Sequence, residues 1–402
     1  MLSGLKVVEL ATYIAAPAAG GIMADWGADV VKIEAPAGDP YRRGYEKLSP
    51  SGVNPIFELD NRGKRSVVLD IATPSGREAL LRLIGGADVF LTNLRPRALK
   101  RARIDWPSLR DDYPRLIYAS VTGYGLEGPD ADLPGFDVAA FWARSGVAAL
   151  MTPKGVEPFP VRTGLGDHTC ALATALGILA AAFARTRTGE GRLVETSLLR
   201  SGVYALSGDM AILLRLGRVA STRQRKASRV PLVNFFRTSE GKWLCLMPRD
   251  RRTDWPKIAT AAGRADLIDD ERFRTDAARQ ANVEAVVSEL DEGFSRLSYQ
   301  EAALRLKAAD VVWSPVQSAR EVASDPQAHA AGCFVETFDS VGGSFRAPAT
   351  PVRFSDFDSG PKGKAPGLGE HTKSVLAEIG LTAEQIDATS RPGAEAAAWE
   401  DG

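Results

Sequence analysis

The chain has 402 residues, and with 45% of them hydrophobic it can fill the cores of two domains of ordinary size. Its 50 lysines and arginines balance 50 aspartates and glutamates, so no global field recommends nucleic acid or an anionic membrane, and any anionic ligand must be held by a local cluster. Cys170, Cys245 and Cys333 are far apart and odd in number, which argues against a disulfide framework and a zinc site and points to a reducing cytoplasm.

From the start, strand-like runs alternate with helical patterns. Residues 5–10 read as a strand with no basic, apolar leader before it, 15–26 as a helix and 29–33 as a second strand. A strand at 66–69 precedes a helix at 73–84, where Thr73 is a natural N-cap and Pro74 fits the first helical position. A strand at 88–91, a helix opening at Pro96, a short helix after Trp106 and a strand at 116–121 continue the rhythm. The pattern predicts an α/β fold with an open, mostly parallel sheet covered by helices.

Two long helical patterns follow, 169–185 and 195–216, separated by Thr188-Gly189-Glu190-Gly191. The longest apolar stretch, 170–184, is shorter than the roughly 20 residues a membrane span needs. Residues 215–229 are arginine-rich and read as an exposed linker. Runs at 233–236 and 242–247 flank Ser239-Glu240-Gly241, a hairpin signal, and polar helices continue to 309. An amphipathic helix at 372–379 has to dock on the larger domain, and the alanine-rich tail after Arg391 is expected to fray. The predicted organisation is a large domain begun by 1–214, a linker at 215–230, a small domain at 231–318, and a return segment at 319–402.

The first turn, residues 11–21, lacks the GxGxxG spacing of a dinucleotide site, and no P-loop, HExxH or GxSxG motif occurs, so nicotinamide, P-loop and zinc-peptidase chemistry have no foothold. Basic residues cluster at two turns instead, 61–65 and 93–101, as suits a ligand with several phosphates. Gly166-Asp167-His168 places a carboxylate ahead of the apolar helical run. Such an aspartate can be a helix cap or a nucleophile, and the positive end of the helix is expected to lower its pKa and keep it ionised near neutral pH. His168 reads as a structural or substrate-lining residue, because Thr169 and Cys170 are too close in sequence to complete a relay with it.

Together these residues resemble the class III CoA-transferases, the family of formyl-CoA transferase, carnitine CoA-transferase and alpha-methylacyl-CoA racemase. The resemblance rests on Leu2-Ser3-Gly4-Leu5-Lys6-Val7-Val8-Glu9-Leu10, residues 24–34, Asn61-Arg62-Gly63-Lys64-Arg65-Ser66, residues 93–99, Gly166-Asp167, Thr188-Gly189-Glu190-Gly191 and Gly369-Glu370-His371-Thr372. It implies a Rossmann-like large domain built from both chain ends, a smaller domain, and an interlocked homodimer. It also implies CoA as substrate and product, with no metal, and Asp167 as the nucleophile that carries an aspartyl-CoA thioester. Asn93, Leu94, Arg101, Leu69 and Ile71, with Lys32 and Arg62, are the implied CoA-binding residues.

Departures from the family pattern narrow the activity. Phe136 stands where the racemases carry histidine in a Gly-His-Asp triplet, which removes one base of a two-base proton shuttle. Ile14, near the first-turn Pro17, replaces a glutamine of formyl-CoA transferase, and Ala35 replaces a common arginine. Tyr13, Ile14, Phe136 and His168 are the expected substrate-lining residues, with Phe141 and Trp142 as further apolar candidates. Arg42, Arg43 and Arg144 are candidates for holding a second carboxylate. CoA transfer between an acyl-CoA and a free acid is the leading expectation. The alternatives are an acyl-CoA racemase or epimerase with Asp167 as base, and a silent CoA-binding protein.

Overall fold

The structure, a computed structural model, describes residues 1–45, 47 and 52–389. The alanine-rich tail expected to fray lies outside the described residues. The chain divides into two compact units, one made of residues 1–149, 159–218 and 327–402, the other of 150–158 and 219–326.

Six strands build the parallel sheet of the first unit: β1 (Lys6–Leu10), β2 (Asp29–Glu34), β3 (Arg65–Val68), β4 (Val89–Thr92), β5 (Ile117–Thr122) and β6 (Arg192–Ser197). All pair in parallel in the order 3-2-1-4-5-6. Parallel strands need crossovers, and the crossovers cover both faces, which is why β4 and β5 are buried throughout and mostly apolar. The order reverses between β1 and β4, the switch point at which open α/β sheets leave a crevice.

The helices between these strands are α1 (Ala15–Asp25), α2 (Pro55–Asn61), α3 (Pro74–Gly85), α4 (Pro96–Ala102), α5 (Trp106–Leu109), α6 (Val147–Met151) and α7 (Leu165–Thr188), and α8 (Leu198–Ala205) and α9 (Ser207–Leu216) follow β6. The Thr73 hydroxyl accepts a hydrogen bond from Gly76 N at 3.1 Å, with Pro74 at the first position, as the sequence predicts for α3. In α1 small residues serve close packing. A Cβ on Gly20 would stand 1.9 Å from Glu9 Oε2, and one on Gly21 2.7 Å from the Asp60 carbonyl.

Two helical expectations are corrected. Residues 192–197, part of which reads as helix in sequence, form the sheet's edge strand β6, and the helical stretch breaks at Leu206 between α8 and α9. Pairing with β5 overrides helix propensity there, and Ser197 caps α8 by accepting from Arg200 N at 3.1 Å. The apolar helix α7 begins at Leu165 rather than 169 and runs for 24 residues, between Gly164 (φ 85°) and Gly189 (φ 74°). It is therefore long and apolar enough, by length and composition alone, to cross a membrane, and 33% of its apolar window is buried within this chain.

The chain's last described helices, α16 (Thr372–Glu378) and α17 (Ala383–Thr389), are numbered after α10 (Asp254–Ala261), α11 (Asp276–Ala281), α12 (Val283–Ser295), α13 (Tyr299–Ala308), α14 (Ala319–Ser324) and α15 (Pro326–Ala330). Val375, Leu376 and Ile386 enter the same core as Val67, Leu69 and Leu80. The Gly369-Glu370-His371-Thr372 motif fastens this return to β3. Gly369 N donates to Ser66 Oγ at 2.8 Å, His371 N to Ser66 O at 2.9 Å, and Val68 N to Thr372 Oγ1 at 3.0 Å.

The second unit holds the predicted hairpin as β7 (Asn234–Arg237) and β8 (Trp243–Leu246), joined by β9 (Trp313–Pro315) in an antiparallel sheet. Helices α10 to α13 pack on it around Phe236, Trp255, Phe273 and Phe294.

Because Leu376 is fully buried, Leu376→Ala is expected to lower the stability of the first unit by about 2–5 kcal/mol. Urea unfolding followed by a probe in that unit checks this, and an unshifted midpoint would show that the return helix adds nothing to the core.

Candidate active site

A cavity of about 690 Å3 lies at the carboxyl ends of β1, β2, β4 and β5, on the switch point. Tyr13, Ile14, Asn93, Leu94, Phe136 and Asp167 line it together, with Tyr41, Arg95 and Asp137.

Its floor depends on charges buried under the first turn. Lys32 Nζ lies 2.9 Å from Asp39 Oδ2 and 3.4 Å from Glu9 Oε1, and donates to the Ala11 carbonyl at 2.9 Å. Lys64 Nζ meets the other Glu9 oxygen at 2.8 Å and donates to Pro17 O and Asn61 Oδ1. Burial opposes the charge on Lys32, but the carboxylates of Asp39, Glu9 and Glu34 outweigh it and hold its pKa above the usual range. Lys64 shares only Glu9 and is pushed down to about 8, first by burial and then against the pull of Glu9 by the charge of Lys32.

Asp39 carries this network into the cavity wall, its Oδ1 accepting from Tyr13 N at 3.2 Å and Tyr41 N at 2.9 Å. Tyr13 is thereby held at φ 63°, a left-handed conformation that a bulky residue rarely adopts. Its ring meets Phe136 edge-on at 5.4 Å and Tyr41 at 5.8 Å. Across the switch point Asn93 clasps the turn, donating from Nδ2 to Thr12 O at 2.7 Å and accepting at Oδ1 from Thr12 N at 3.1 Å.

Asp167 sits in the first turn of α7, and Gly164, not Asp167, is the N-cap. Its carboxyl is pushed up to about 7, first by burial, then by the Asp137 and Asp60 carboxylates, with His168 opposing. The expected lowering by the helix end is therefore overturned, because desolvation and like charge exceed the field of one helix terminus. Asp137 Oδ1 accepts from Gly166 N at 3.1 Å, and burial raises its pKa as well. His168 bridges the Gly164 carbonyl (Nδ1, 2.8 Å) and Asp60 Oδ1 (Nε2, 3.1 Å). Burial disfavours its imidazolium, but Asp60 prevails and lifts it to about 9.

Glycines let these walls meet. A Cβ on Gly135 would lie 2.5 Å from the Gly123 Cα, and one on Gly166 would lie 2.2 Å from the Phe141 ring. Other sequence candidates stand outside the lining. Lys32 is buried among its carboxylates, and Arg62 is buried in a 2.6 Å ion pair with Asp25. Leu69 and Ile71 are core residues, Arg101 is exposed in the last turn of α4, and His168 faces Asp60. Sequence reasoning missed Tyr41, Asp39 and Asp137. Charged Glu9 and Lys32 inside apolar strands were the available signal for the network, and Asp137 lay in the triplet read only for its phenylalanine.

Fold and site together define an α/β protein with a half-buried carboxyl of raised pKa at its switch-point cavity. The chain belongs to CoA-transferase family III, which it matches over residues 2–372. It is 34% identical to (R)-2-hydroxy-4-methylpentanoate CoA-transferase of Clostridioides difficile, covering 96% of this chain and 97% of that one. It is 33% identical to cinnamoyl-CoA:phenyllactate CoA-transferase of Clostridium sporogenes, covering 96% and 95%. A crystal structure of a CAIB/BAIF family protein from Brucella suis superposes with a TM-score of 0.83 at 30% identity, covering 94% of this chain and 98% of that one. These relationships make the chain a CoA-transferase acting on CoA thioesters.

The raised pKa of Asp167 has a sign that can be measured. The carboxyl ionises near 3.8 when unfolded and near 7 in the fold, so between those values the native state keeps a proton that the unfolded chain releases, and stability falls as pH rises. Asp167→Asn removes the partly desolvated charge and is expected to raise the melting midpoint at pH 8 while changing it little at pH 4; equal shifts at both pH values would contradict the assignment.

Proposed function

We propose that this chain moves CoA between an acyl-CoA donor and a free carboxylic acid through covalent intermediates on Asp167. The observation that carries the reading is a half-buried carboxyl in the cavity lining, its pKa pushed up to about 7, in the first turn of a long helix. Its oxygen attacks the thioester carbonyl, the C–S bond breaks, and CoA leaves as the thiolate, giving a mixed anhydride. The thiolate then attacks the aspartyl carbonyl, releasing the donor's acid and forming the aspartyl-CoA thioester. The acceptor carboxylate attacks that thioester and the two steps run in reverse. Burial excludes water from these acyl intermediates and so preserves the thioester's energy.

In this reading CoA extends from Asp167 past Asn93 and Leu94 toward the basic turn that carries Arg95 and Arg101. Lys32, Arg62, Leu69 and Ile71 shape that region from beneath, since they are packed or paired. Racemisation is disfavoured by Phe136 at the position where a second base would stand. The working form is an interlocked homodimer. Large apolar side chains on α7, α8 and α9, such as Leu176, Phe183, Tyr204 and Leu214, are exposed in the single chain, and a partner would cover them. Three unpaired thiols support a cytoplasmic setting.

Asp167→Ala is expected to reduce exchange of labelled acid into acyl-CoA by roughly 10⁴-fold or more, with CoA-thioester binding by calorimetry kept within a few-fold. Hydroxylamine added with acyl-CoA should leave a hydroxamate at residue 167 of the wild type. Undiminished exchange in the variant, or deuterium uptake at the alpha carbon without acid exchange, would sink the proposal.

A further inference from the structure

The cavity lining is short of positive charge where the reaction needs it. Glu34, Asp39, Asp70, Asp137 and Asp167 line it, and Arg95 is the one cation among its described lining residues. Transfer keeps one negative charge at the reacting centre throughout, first on the Asp167 carboxylate, then on the oxygen of the tetrahedral adduct, then on the departing thiolate. A fixed cation beside Asp167 favours each of these anions over the neutral carboxyl.

His168 supplies that cation, and its hydrogen bonds set its protonation. Nδ1 lies 2.8 Å from the Gly164 carbonyl oxygen and Nε2 lies 3.1 Å from Asp60 Oδ1. A carbonyl and a carboxylate only accept, so each ring nitrogen must carry a proton to bond, and a ring with two N–H groups is an imidazolium. Gly164 leaves room for it, since a Cβ there, at φ 85°, would stand 3.0 Å from Nδ1. Asp60 depends on the same ring. It is 2% exposed, its Oδ2 has no hydrogen-bond partner among the described residues, and the Lys64 ammonium donates instead to Glu9, Pro17 O and Asn61 Oδ1.

Asp167 and His168 are successive residues in the first turn of α7, so carboxyl and ring leave adjacent backbone positions. The other groups facing this turn are Asp60 from α2, Asp137 from residues 137–144, and Tyr41 from the loop after β2, a phenol that burial keeps protonated. The remaining elements packed on α7 add no free charge close by. Asp25 of α1 is paired with Arg62, Tyr118 of β5 is bonded to the Ile104 carbonyl, and Arg192 and Glu195 of β6 and Arg200 and Tyr204 of α8 are exposed. Burial and then Asp137 raise the Asp167 pKa, and the imidazolium opposes them more strongly than Asp60 adds to them.

Resting on the transferase reading above, we propose that Asp60 is a positioning residue of the reaction: it keeps His168 a fixed imidazolium, and that cation holds the Asp167 carboxyl in the ionised form that attacks the thioester. The working pH range follows. Asp167 ionises as pH rises through about 7 and His168 loses its proton through about 9, so both charges coexist between those values.

The chain has three histidines, so nitrogen NMR of histidine-labelled protein can follow each ring, with His168 assigned by the signal missing from His168→Gln. In the wild type this ring should titrate near 9, and in Asp60→Asn it should fall toward the ordinary 6.5. Infrared difference spectra against Asp167→Asn read the protonated Asp167 carboxyl, which should titrate near 7 in the wild type and about one unit higher in a His168→Gln background. The shift is placed at the low end for a neighbouring charge because 42% of the His168 side chain is open to solvent, which screens its field. In exchange of labelled butanoate, 3-phenylpropanoate or adipate into its CoA thioester, kcat/KM should rise and then fall through the same two values. Asp60→Asn should draw the alkaline limb down, and His168→Gln should raise the acid limb and abolish the alkaline one. A His168 ring that titrates at its ordinary value in the wild type, or an Asp167 midpoint that His168→Gln leaves in place, overturns the proposal. So do variants that melt earlier with both limbs unmoved, the mark of a purely structural tie between α2 and α7. The two spectroscopic readings need no turnover and decide the proposal separately from the transferase reading, which a wild type exchanging no faster than Asp167→Ala would remove.

Discussion

The site rests on the sharing of Glu9 between two buried ammonium groups. Glu9, Lys32, Lys64 and Asp39 lie in the interior with essentially no exposed side-chain surface, where removing one partner leaves an uncompensated charge that costs about 3–5 kcal/mol. Everything above the network inherits its geometry. Lys32 holds the Ala11 carbonyl, Asp39 holds Tyr13 and Tyr41 by their backbones, and Lys64 holds the helix that follows through Pro17 O. Gly20 is the counterpart of this arrangement, since even a methyl group there would occupy the space of the Glu9 carboxylate.

The first turn of α7 follows a different rule. Three carboxylates, Asp60, Asp137 and Asp167, gather around one imidazolium, and their repulsion is only partly relieved by His168. The fold tolerates this because Asp60 is tied to His168 and Asp137 to the Gly166 amide, which leaves Asp167 with the least support. A residue kept in an unfavourable environment by well-held neighbours is a typical arrangement for covalent chemistry.

Much of the fold was legible in the sequence because it is written locally. The apolar runs of β1, β2, β4 and β5 and the Thr73-Pro74 start carry their own signals. Residues 192–197 did not, since Leu193, Val194 and Thr196 serve a strand as readily as a helix, and only the presence of β5 decides between them. Ion pairing was hidden for a similar reason. Lys32 and Arg62 read as ligand-binding cations because Glu9 and Asp25, with which they pair, lie 23 and 37 positions away in sequence, and the loop that brings Asp39 back onto Lys32 is set by the packed chain. Asp167 was found from its place before an apolar helix, but its protonation could not be, because desolvation and the approach of Asp137 and Asp60 are properties of the packed chain.

The return of the chain to β3 also sets an order of events during synthesis. Strands β1 to β6 leave the ribosome first, then residues 219–326 of the second unit, and only afterwards the helices α16 and α17 that complete the core beside Val67, Leu69 and Leu80. A nascent chain therefore carries an apolar surface on one face of an assembled sheet while more than a hundred further residues are translated. Residues 369–389 act as a late seal, and premature termination anywhere in the second unit leaves a product with an open core, the kind of surface that chaperones and proteases recognise.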